Sequence, residues 1–339
     1  MTGRSRPPTI IDVAREAGVS VGTVSRYLNG IEVRDNKRLT IEGAIKRLNY
    51  NRNAAAKAMR TERTNMVALL VPGYDEYFAG ILSSLTRALA REGQVLLTHK
   101  HEGDQRALAL ALEFFQTHRV NAVITPGVPQ VRAEVERLVQ QGIPVIFFNN
   151  DVPGLDVDRV FSKNEEGAHR AVNYLLDLGH RHIGFVGGDE SETSAADRQL
   201  GYRRALTERG ISVRPDYVVG GTWRRQDAYA GARRLMELDK PPTAIFTANY
   251  VLALAVLDHL HEIGKTVGED VSLVSFDDVE LFKQIRPMVT AVAQPKTEIG
   301  EHIAEIVLSH LDAKQTHTSR TVLLDCSMVL RDTARPPKR

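Results

Sequence analysis

The sequence predicts a small all-α head followed by a larger two-lobed α/β body with parallel sheets, and three observations carry that prediction. Two short helical patterns separated by a glycine turn open the chain. From Asn65 onward, short apolar runs alternate with amphipathic stretches. The length of 339 residues exceeds one ordinary domain and suits a small module plus two α/β lobes. The expected divisions are 1–51 for the head, 52–64 for a connecting segment and 65–339 for the body.

In the head, Thr9 and Asp12 stand where an N-cap and an acidic first turn belong, so a helix is expected to start near Ile10. Val13, Ala14 and Ala17 recur at the helical period, and Gly18 supplies a turn. Ser20 caps a second helix from Val21 to about Leu28, which Asn29-Gly30 ends. Val24 and Leu28 share one face of it, whereas Gly22 and Arg26 look roughly the opposite way. A third helix from about Asn36 to Leu48 is expected to close a core with Leu39, Ile41, Ala44, Ile45 and Leu48. Charge is uneven: residues 1–64 hold thirteen Lys and Arg against six acids, in a chain whose net charge is only +2. Two short helices with a basic outward face describe a helix-turn-helix whose second helix enters the major groove of double-stranded DNA. A solvated basic face is the plainer alternative.

In the body, MVALLV, QVLLT, AVIT, PVIFF, HIGFVGG, TAIFT and VSLVSF are strand candidates, each followed by helix-like sequence. This βα rhythm belongs to open parallel sheets, whose ligands sit at the carboxyl ends of strands. No window approaches the roughly 18 apolar residues of a membrane span. The N-terminus lacks the apolar run of a secretory signal, so a cytoplasmic protein without membrane association is expected. The single Cys326 lies in the apolar run TVLLDCSMVL and is expected to pack in a core. The pairs His99/His101, His180/His182 and His259/His261 lack further ligands at metal spacing and are expected to be solvated or capping, with no metal site. Gly187-Gly188 completes no phosphate-binding loop, and no nucleophile elbow or HExxH occurs, so neither a cofactor nor a catalytic role is expected.

The run TIIDVAREAGVSVGTVSRYLNG resembles the head signature of the lactose-repressor and galactose-repressor (LacI/GalR) family, matching nearly every position of its pattern. The resemblance implies a sequence-specific, DNA-binding transcription regulator, a repressor more readily than an activator. By resemblance, Val21, Gly22 and Arg26 read base edges, while Thr9, Ser20, Thr23, Ser25 and Asn29 belong to the same DNA-contacting surface. Arginine can present two donors to guanine, whereas hydroxyls and amides on phosphates fix register. Val21 and Gly22 can contact a thymine methyl or permit close approach. Residues 51–60, NRNAAAKAMR, form a helix-prone stretch with almost no apolar face. In the family this place holds a hinge helix that orders on DNA, where two subunits wedge a leucine pair into the minor groove. Here Asn53, Lys57 and Met59 occupy it, with Met59 at the leucine position and Lys57 replacing the usual arginine. A plain linker is the alternative.

GIPVIFFNN, YLLDLGHRHIGFVGG, RQLGYRRAL, PPTAIFTAN, VSLVSFDD and TAVAQPKTEIG resemble the same family's sensor body, which is periplasmic-binding-protein-like. The resemblance implies an effector cleft lined by Tyr77 and Phe78 after the first strand, Asn149, Arg198 opening the RQLGY helix, Trp223, Asn249, Asp277 and Gln294. An arginine and a carboxylate suit vicinal hydroxyls, amides tune selectivity, and an aromatic face suits a sugar ring. For Arg198 and Asp277 the alternative is an ion pair between lobes; for Trp223, Tyr77 and Phe78 it is core packing. Tyr250 and Asn149 stand where the family often carries aspartates, so both remove a carboxylate. Glu192 occupies a basic position of the purine-responsive relative, which argues against an anionic effector. A sugar or sugar phosphate is therefore expected ahead of a purine or nucleoside, on a homodimer bound to a pseudo-palindromic operator. No leucine heptads follow MVLRDTARPPKR, so no tetramer-forming helix is expected. A sugar-binding carrier is the alternative class, against which the basic head speaks. If Met59 is the wedge, Met59→Ala is expected to weaken operator binding much more than nonspecific DNA binding in gel-shift titrations; equal losses contradict that role.

Overall fold

The structure, a computed structural model, describes Arg6 and residues 8–28, 30–50, 64–312 and 318–338. The chain divides into two compact units, Met1–Thr64 and Asn65–Arg339.

The head is built from α1 (Ile10–Ala17), α2 (Val21–Leu28) and α3 (Asp35–Leu48). Thr9 starts α1 by donating from its backbone N–H and its hydroxyl to Asp12 Oδ2, at 2.9 and 2.7 Å. Those bonds, the backbone one first, hold the Asp12 carboxyl below its ordinary value. Gly18 turns the chain in the left-handed region, with φ 67°. Ser20 Oγ then accepts from Thr23 N–H at 3.2 Å to cap α2. Val13, Ala14, Val24, Ile41, Ala44 and Tyr50 form the buried core, with Leu28, Ile45 and Leu48 packed partly against it. Leu39 is not part of it, being 64% exposed. It precedes Ile41 by two residues, which at about 3.6 residues per turn puts it on the far side of α3 from the Ile41/Ala44/Ile45/Leu48 stripe.

The body has two lobes. The strands of the first are β1 (Met66–Val71), β2 (Val95–Lys100), β3 (Ala122–Pro126), β4 (Val145–Phe148), β5 (Asp158–Ser162) and β11 (Thr321–Leu324). They form a parallel sheet in the order β11-β5-β4-β3-β1-β2. Separate apolar cores cover its two faces, one around Leu69, Leu85 and Ile303, the other around Leu70, Leu112 and Phe147. The second lobe holds β6 (Ile183–Val186), β7 (Val218–Val219), β8 (Ala244–Thr247), β9 (Ser272–Phe276), β10 (Thr290–Ala293) and β12 (Ser327–Val329). Their order is β12-β10-β9-β8-β6-β7. Only the β10–β12 pair is antiparallel in the described sheets.

The chain passes between lobes after β5, after β10 and after β11. The run TVLLDCSMVL is thus not one element: β11 completes the first sheet, β12 the second, and buried Cys326 lies in the crossing between them. Strand β5, DRVFS, was hidden from apolar-run reasoning by its charged start. Asp158 is nevertheless buried, accepting from Arg320 N–H at 3.0 Å and lying 2.8 Å from His310 Nε2. The histidine pairs also differ from expectation, because His101, His180 and His259 are buried. His180 ties down the chain's end, with Nδ1 at 2.8 Å from Thr243 Oγ1 and Nε2 at 2.8 Å from the Arg335 carbonyl.

Helices Asn164–Asp177 and Thr193–Glu208 pack so closely that a Cβ on Gly201 would lie 2.2 Å from the Glu165 carbonyl and 2.8 Å from His169 N. Gly201→Ala is therefore expected to destabilise the body by about 1–3 kcal/mol, read as a lower urea midpoint of the full chain. An unchanged midpoint contradicts this close approach.

Candidate functional site

On the head, α2 presents Val21, Gly22 and Arg26 as exposed residues. Ser20 is exposed beside them, and Thr9, Thr23 and Ser25 are half-buried. The Ser20 and Thr23 hydroxyls lie 2.9 Å apart, a pair of groups that can serve both as cap and as phosphate donor. The structure thus gives α2 an outward face of small residues and one guanidinium, which lets a helix approach a groove floor closely. Asn29, Asn53, Lys57 and Met59 lie outside the described residues.

In the body, a cavity of about 340 Å³ opens at the carboxyl ends of the strands of both sheets. Tyr77, Phe78, Asn149, Arg198, Trp223, Asn249, Asp277 and Gln294 all line it. Tyr77 and Phe78 occupy the first turn of helix Glu76–Arg91, which Asp75 caps by accepting from Phe78 N–H at 3.0 Å. Asn149 follows β4 with φ 65° and Asp277 follows β9 with φ 69°. Short Asn and Asp side chains tolerate that left-handed bend better than most residues. Asn249 caps helix Tyr250–Glu262, its Oδ1 accepting from Leu252 N–H at 2.9 Å, so its amide N–H groups are left for the cavity.

Arg198 departs from expectation in place and partners. Helix Thr193–Glu208 begins five residues before it, because Glu192 and Thr193 already provide the entry. Arg198 and Asp277 belong to the same lobe, so an ion pair between lobes has no topological basis here. The guanidinium is buried; Nε donates to Asn164 Oδ1 at 2.9 Å and Nη1 to the Ala248 carbonyl at 2.6 Å, while its carbon sits 3.9 Å from the Phe276 ring centroid. Asp277 instead accepts from Gln294 Nε2 at 2.6 Å, and Gln294 Oε1 accepts from the Tyr77 hydroxyl at 3.3 Å. One hydrogen-bonded chain thereby joins the first lobe, a crossing and the second lobe.

Burial pushes the Asp277 carboxyl above its ordinary value despite Arg198, Gln294 and Lys296. Burial also raises Asp75, with the Asp277 charge adding to it. Tyr250 lines the same cavity, its hydroxyl pushed up to about 12 by burial and then by Asp75 and Asp277.

Sequence reasoning missed Asp75, His101, Asn150 and Ser194 on this wall, and weighed Glu192 only for its charge. Glu192 Oε2 accepts from both Asn150 Nδ2, at 2.8 Å, and Trp223 Nε1, at 3.0 Å. Asn150 Oδ1 accepts from Ser194 N–H at 3.1 Å, and Asp151 N–H donates to Thr193 Oγ1 at 3.0 Å. Position after a strand end was the available signal for Asn150 and His101, and an N-cap two residues before Tyr77 was the signal for Asp75.

Residues 9–53 match the lacI family of bacterial regulatory proteins, and residues 172–334 match a periplasmic binding protein-like domain. Catabolite control protein A of Priestia megaterium is 31% identical over 325 residues, covering 93% of this chain and 96% of that one. The chain belongs to the lacI family. As a member, it is a DNA-binding transcription regulator. The transcriptional repressor PurR of Haemophilus influenzae is a further lacI-family relative, 29% identical over 90% of this chain and 92% of its own. Among solved structures, the transcriptional regulator CelR–cellobiose complex aligns with TM-score 0.74 and 27% identity over 96% of this chain and 99% of that one. A lac repressor dimer bound to operator and the anti-inducer ONPF has the same fold, with TM-score 0.85 and 24% identity over 97% and 100%. No described helix of this lacI-family chain is long and apolar enough to cross a membrane.

Because burial raises the folded-state value of Asp277, its ionisation weighs against folding as pH rises past the ordinary value of 3.8. Asp277→Asn, which keeps an acceptor for Gln294 and tolerates the left-handed bend, is expected to match or exceed the wild-type melting temperature without ligand, by a margin that grows as pH rises above about 4. A lower melting temperature at neutral pH contradicts this.

Proposed function

We propose that this chain is a homodimeric repressor whose operator affinity is lowered by a neutral sugar bound between the body's lobes, with no catalytic step. The observation that carries the proposal is the cavity, which has the chemistry of a polyol site and walls from both lobes. Arg198 and Asn249 supply donors, Asp277, Glu192 and Asp75 supply acceptors, and Trp223, Tyr77 and Phe78 supply aromatic surface. Its size falls at the small end of the roughly 300–1,000 Å³ range for small-ligand sites. Among its described lining residues, three carboxylates stand against one guanidinium, which disfavours a phosphorylated sugar. Cellobiose in the CelR complex supports a saccharide as the ligand class. The name of the PurR relatives keeps a purine as the second reading.

Val21, Gly22 and Arg26 are assigned to base edges, and Thr9, Ser20, Thr23, Ser25 and Asn29 to the phosphate-facing surface. Residues 52–64 are assigned to the hinge, with Asn53, Lys57 and Met59 on DNA. The operator-bound lac repressor dimer supports a two-fold arrangement.

Selection of bound duplexes from a random pool is expected to return a pseudo-palindrome, bound with a steep salt dependence. Titrating neutral sugars, sugar phosphates and purines into that complex then tests the effector. The expected result is release by a neutral sugar, abolished in Asp277→Asn. Release only by a sugar phosphate, or tightening by a purine, overturns the neutral-sugar reading.

A further inference from the structure

We infer that Glu192 is a positioning residue of the cleft. Its carboxylate holds the Trp223 ring in place, and Asn150 of the first lobe holds the carboxylate, so the aromatic wall is set only while the lobes are joined. The inference rests on the reading of the cavity as the effector cleft. Trp223 lies in the loop between β7 and helix Arg225–Met236, and its ring rests so closely on Gly188 that a Cβ there would meet ring carbons at 2.5 Å. The indole has a single polar atom, the Nε1–H donor, and Glu192 Oε2 accepts it at 3.0 Å. One hydrogen bond therefore sets where the half-buried ring sits on Gly188.

The same Oε2 accepts from Asn150 Nδ2 at 2.8 Å. The orientation of that amide is forced, since Oδ1 accepts from Ser194 N–H at 3.1 Å and a backbone N–H can only donate. Asn150 is in turn built into the first lobe. It is buried; its carbonyl accepts from Gly127 N–H at 2.8 Å, and its N–H donates to the Phe148 carbonyl at 2.7 Å. A Cβ on Gly127 would lie 2.6 Å from the Asn150 carbonyl oxygen, so the loops after β3 and β4 interlock. Asp151 N–H adds a bond to Thr193 Oγ1 at 3.0 Å, which registers the entry of helix Thr193–Glu208 on the same loop. A carboxylate that offers one oxygen to donors from both lobes makes the place of the ring depend on the lobe relation. A ring held in place before the ligand arrives spares the ligand an ordering cost, so freeing it weakens binding.

Trp223 is the only tryptophan in the chain, so tryptophan emission reads its surroundings alone. The readout is the acrylamide quenching constant of the full-length protein without DNA or ligand. Glu192→Ala is expected to raise that constant about 1.5- to 3-fold by freeing the ring. Glu192→Gln keeps a side-chain oxygen that can take both donors, and is expected to stay near wild type. Asn150→Asp keeps the acceptor for Ser194 N–H, withdraws the donor that spans the lobes and sets a second carboxylate against Glu192. It is expected to raise quenching as Glu192→Ala does, with no further increase in the double variant.

Unchanged quenching in Glu192→Ala, or equal increases in the Ala and Gln variants, overturns the role of Glu192. Unchanged quenching in Asn150→Asp overturns its dependence on the first lobe. Operator release by free cellobiose, glucose, galactose and ribose tests the consequence. With a sugar that releases wild type, Glu192→Ala is expected to need about two- to tenfold more, and Glu192→Gln about as much as wild type. Unchanged release in Glu192→Ala overturns the positioning of the ring for the ligand. If none of the four sugars releases wild type, the sugar reading falls, while the quenching order, which needs no ligand, still decides the inference.

Discussion

The chain crosses between the body's lobes at residues 162–164, 293–296 and 324–327, and each crossing begins where a strand of a sheet ends. Since the strands within each lobe are parallel but for β12, their carboxyl ends converge on the crossings, and the loops that follow them share one space. The positions of the cleft's polar groups follow from that arrangement. Gln294 lies within a crossing, Asn164 ends one, and Asp277, Asn149 and Asn249 each sit just past a strand. Arg198 is then immobilised by Asn164 and the Ala248 carbonyl on one edge and by the Phe276 ring on its face. Its remaining donors belong to the cavity.

Two hydrogen-bonded bridges span the lobes at this level, through Tyr77, Gln294 and Asp277 and through Asn150, Glu192 and Trp223. Both are assembled from cavity-lining groups. A ligand that inserts among them competes with, or completes, the bonds that join one lobe to the other. Binding energy can therefore be converted into a change of lobe relation, which is the differential contact that any two-state control requires. Burial holds the Asp277 and Asp75 carboxyls on this wall above their ordinary values.

Much of this was legible in the sequence because it rested on local pattern. The caps at Thr9 and Ser20, the turn at Gly18 and the apolar strands all follow from period and side-chain chemistry over a few residues. The eight cleft residues that the family resemblance implied all line one cavity. What was illegible depended on distant partners. Leu39 is apolar and yet on the outer side of α3; Asp158 is charged and yet inside, because His310 and Arg320 meet it from other elements. The burial of His180 between Thr243 and Arg335, and the bridging role of Glu192, likewise needed residues tens to hundreds of positions away.

Coupling between cleft and head is the claim on which the functional reading stands, and linkage makes it measurable in both directions. The direct measurement is the calorimetric affinity of the releasing sugar for the protein alone and for the protein saturated with its selected operator. Coupling predicts that operator weakens sugar binding by the same factor by which sugar weakens operator binding, with about 5–150-fold as the ordinary range. Equal sugar affinity with and without operator would contradict it.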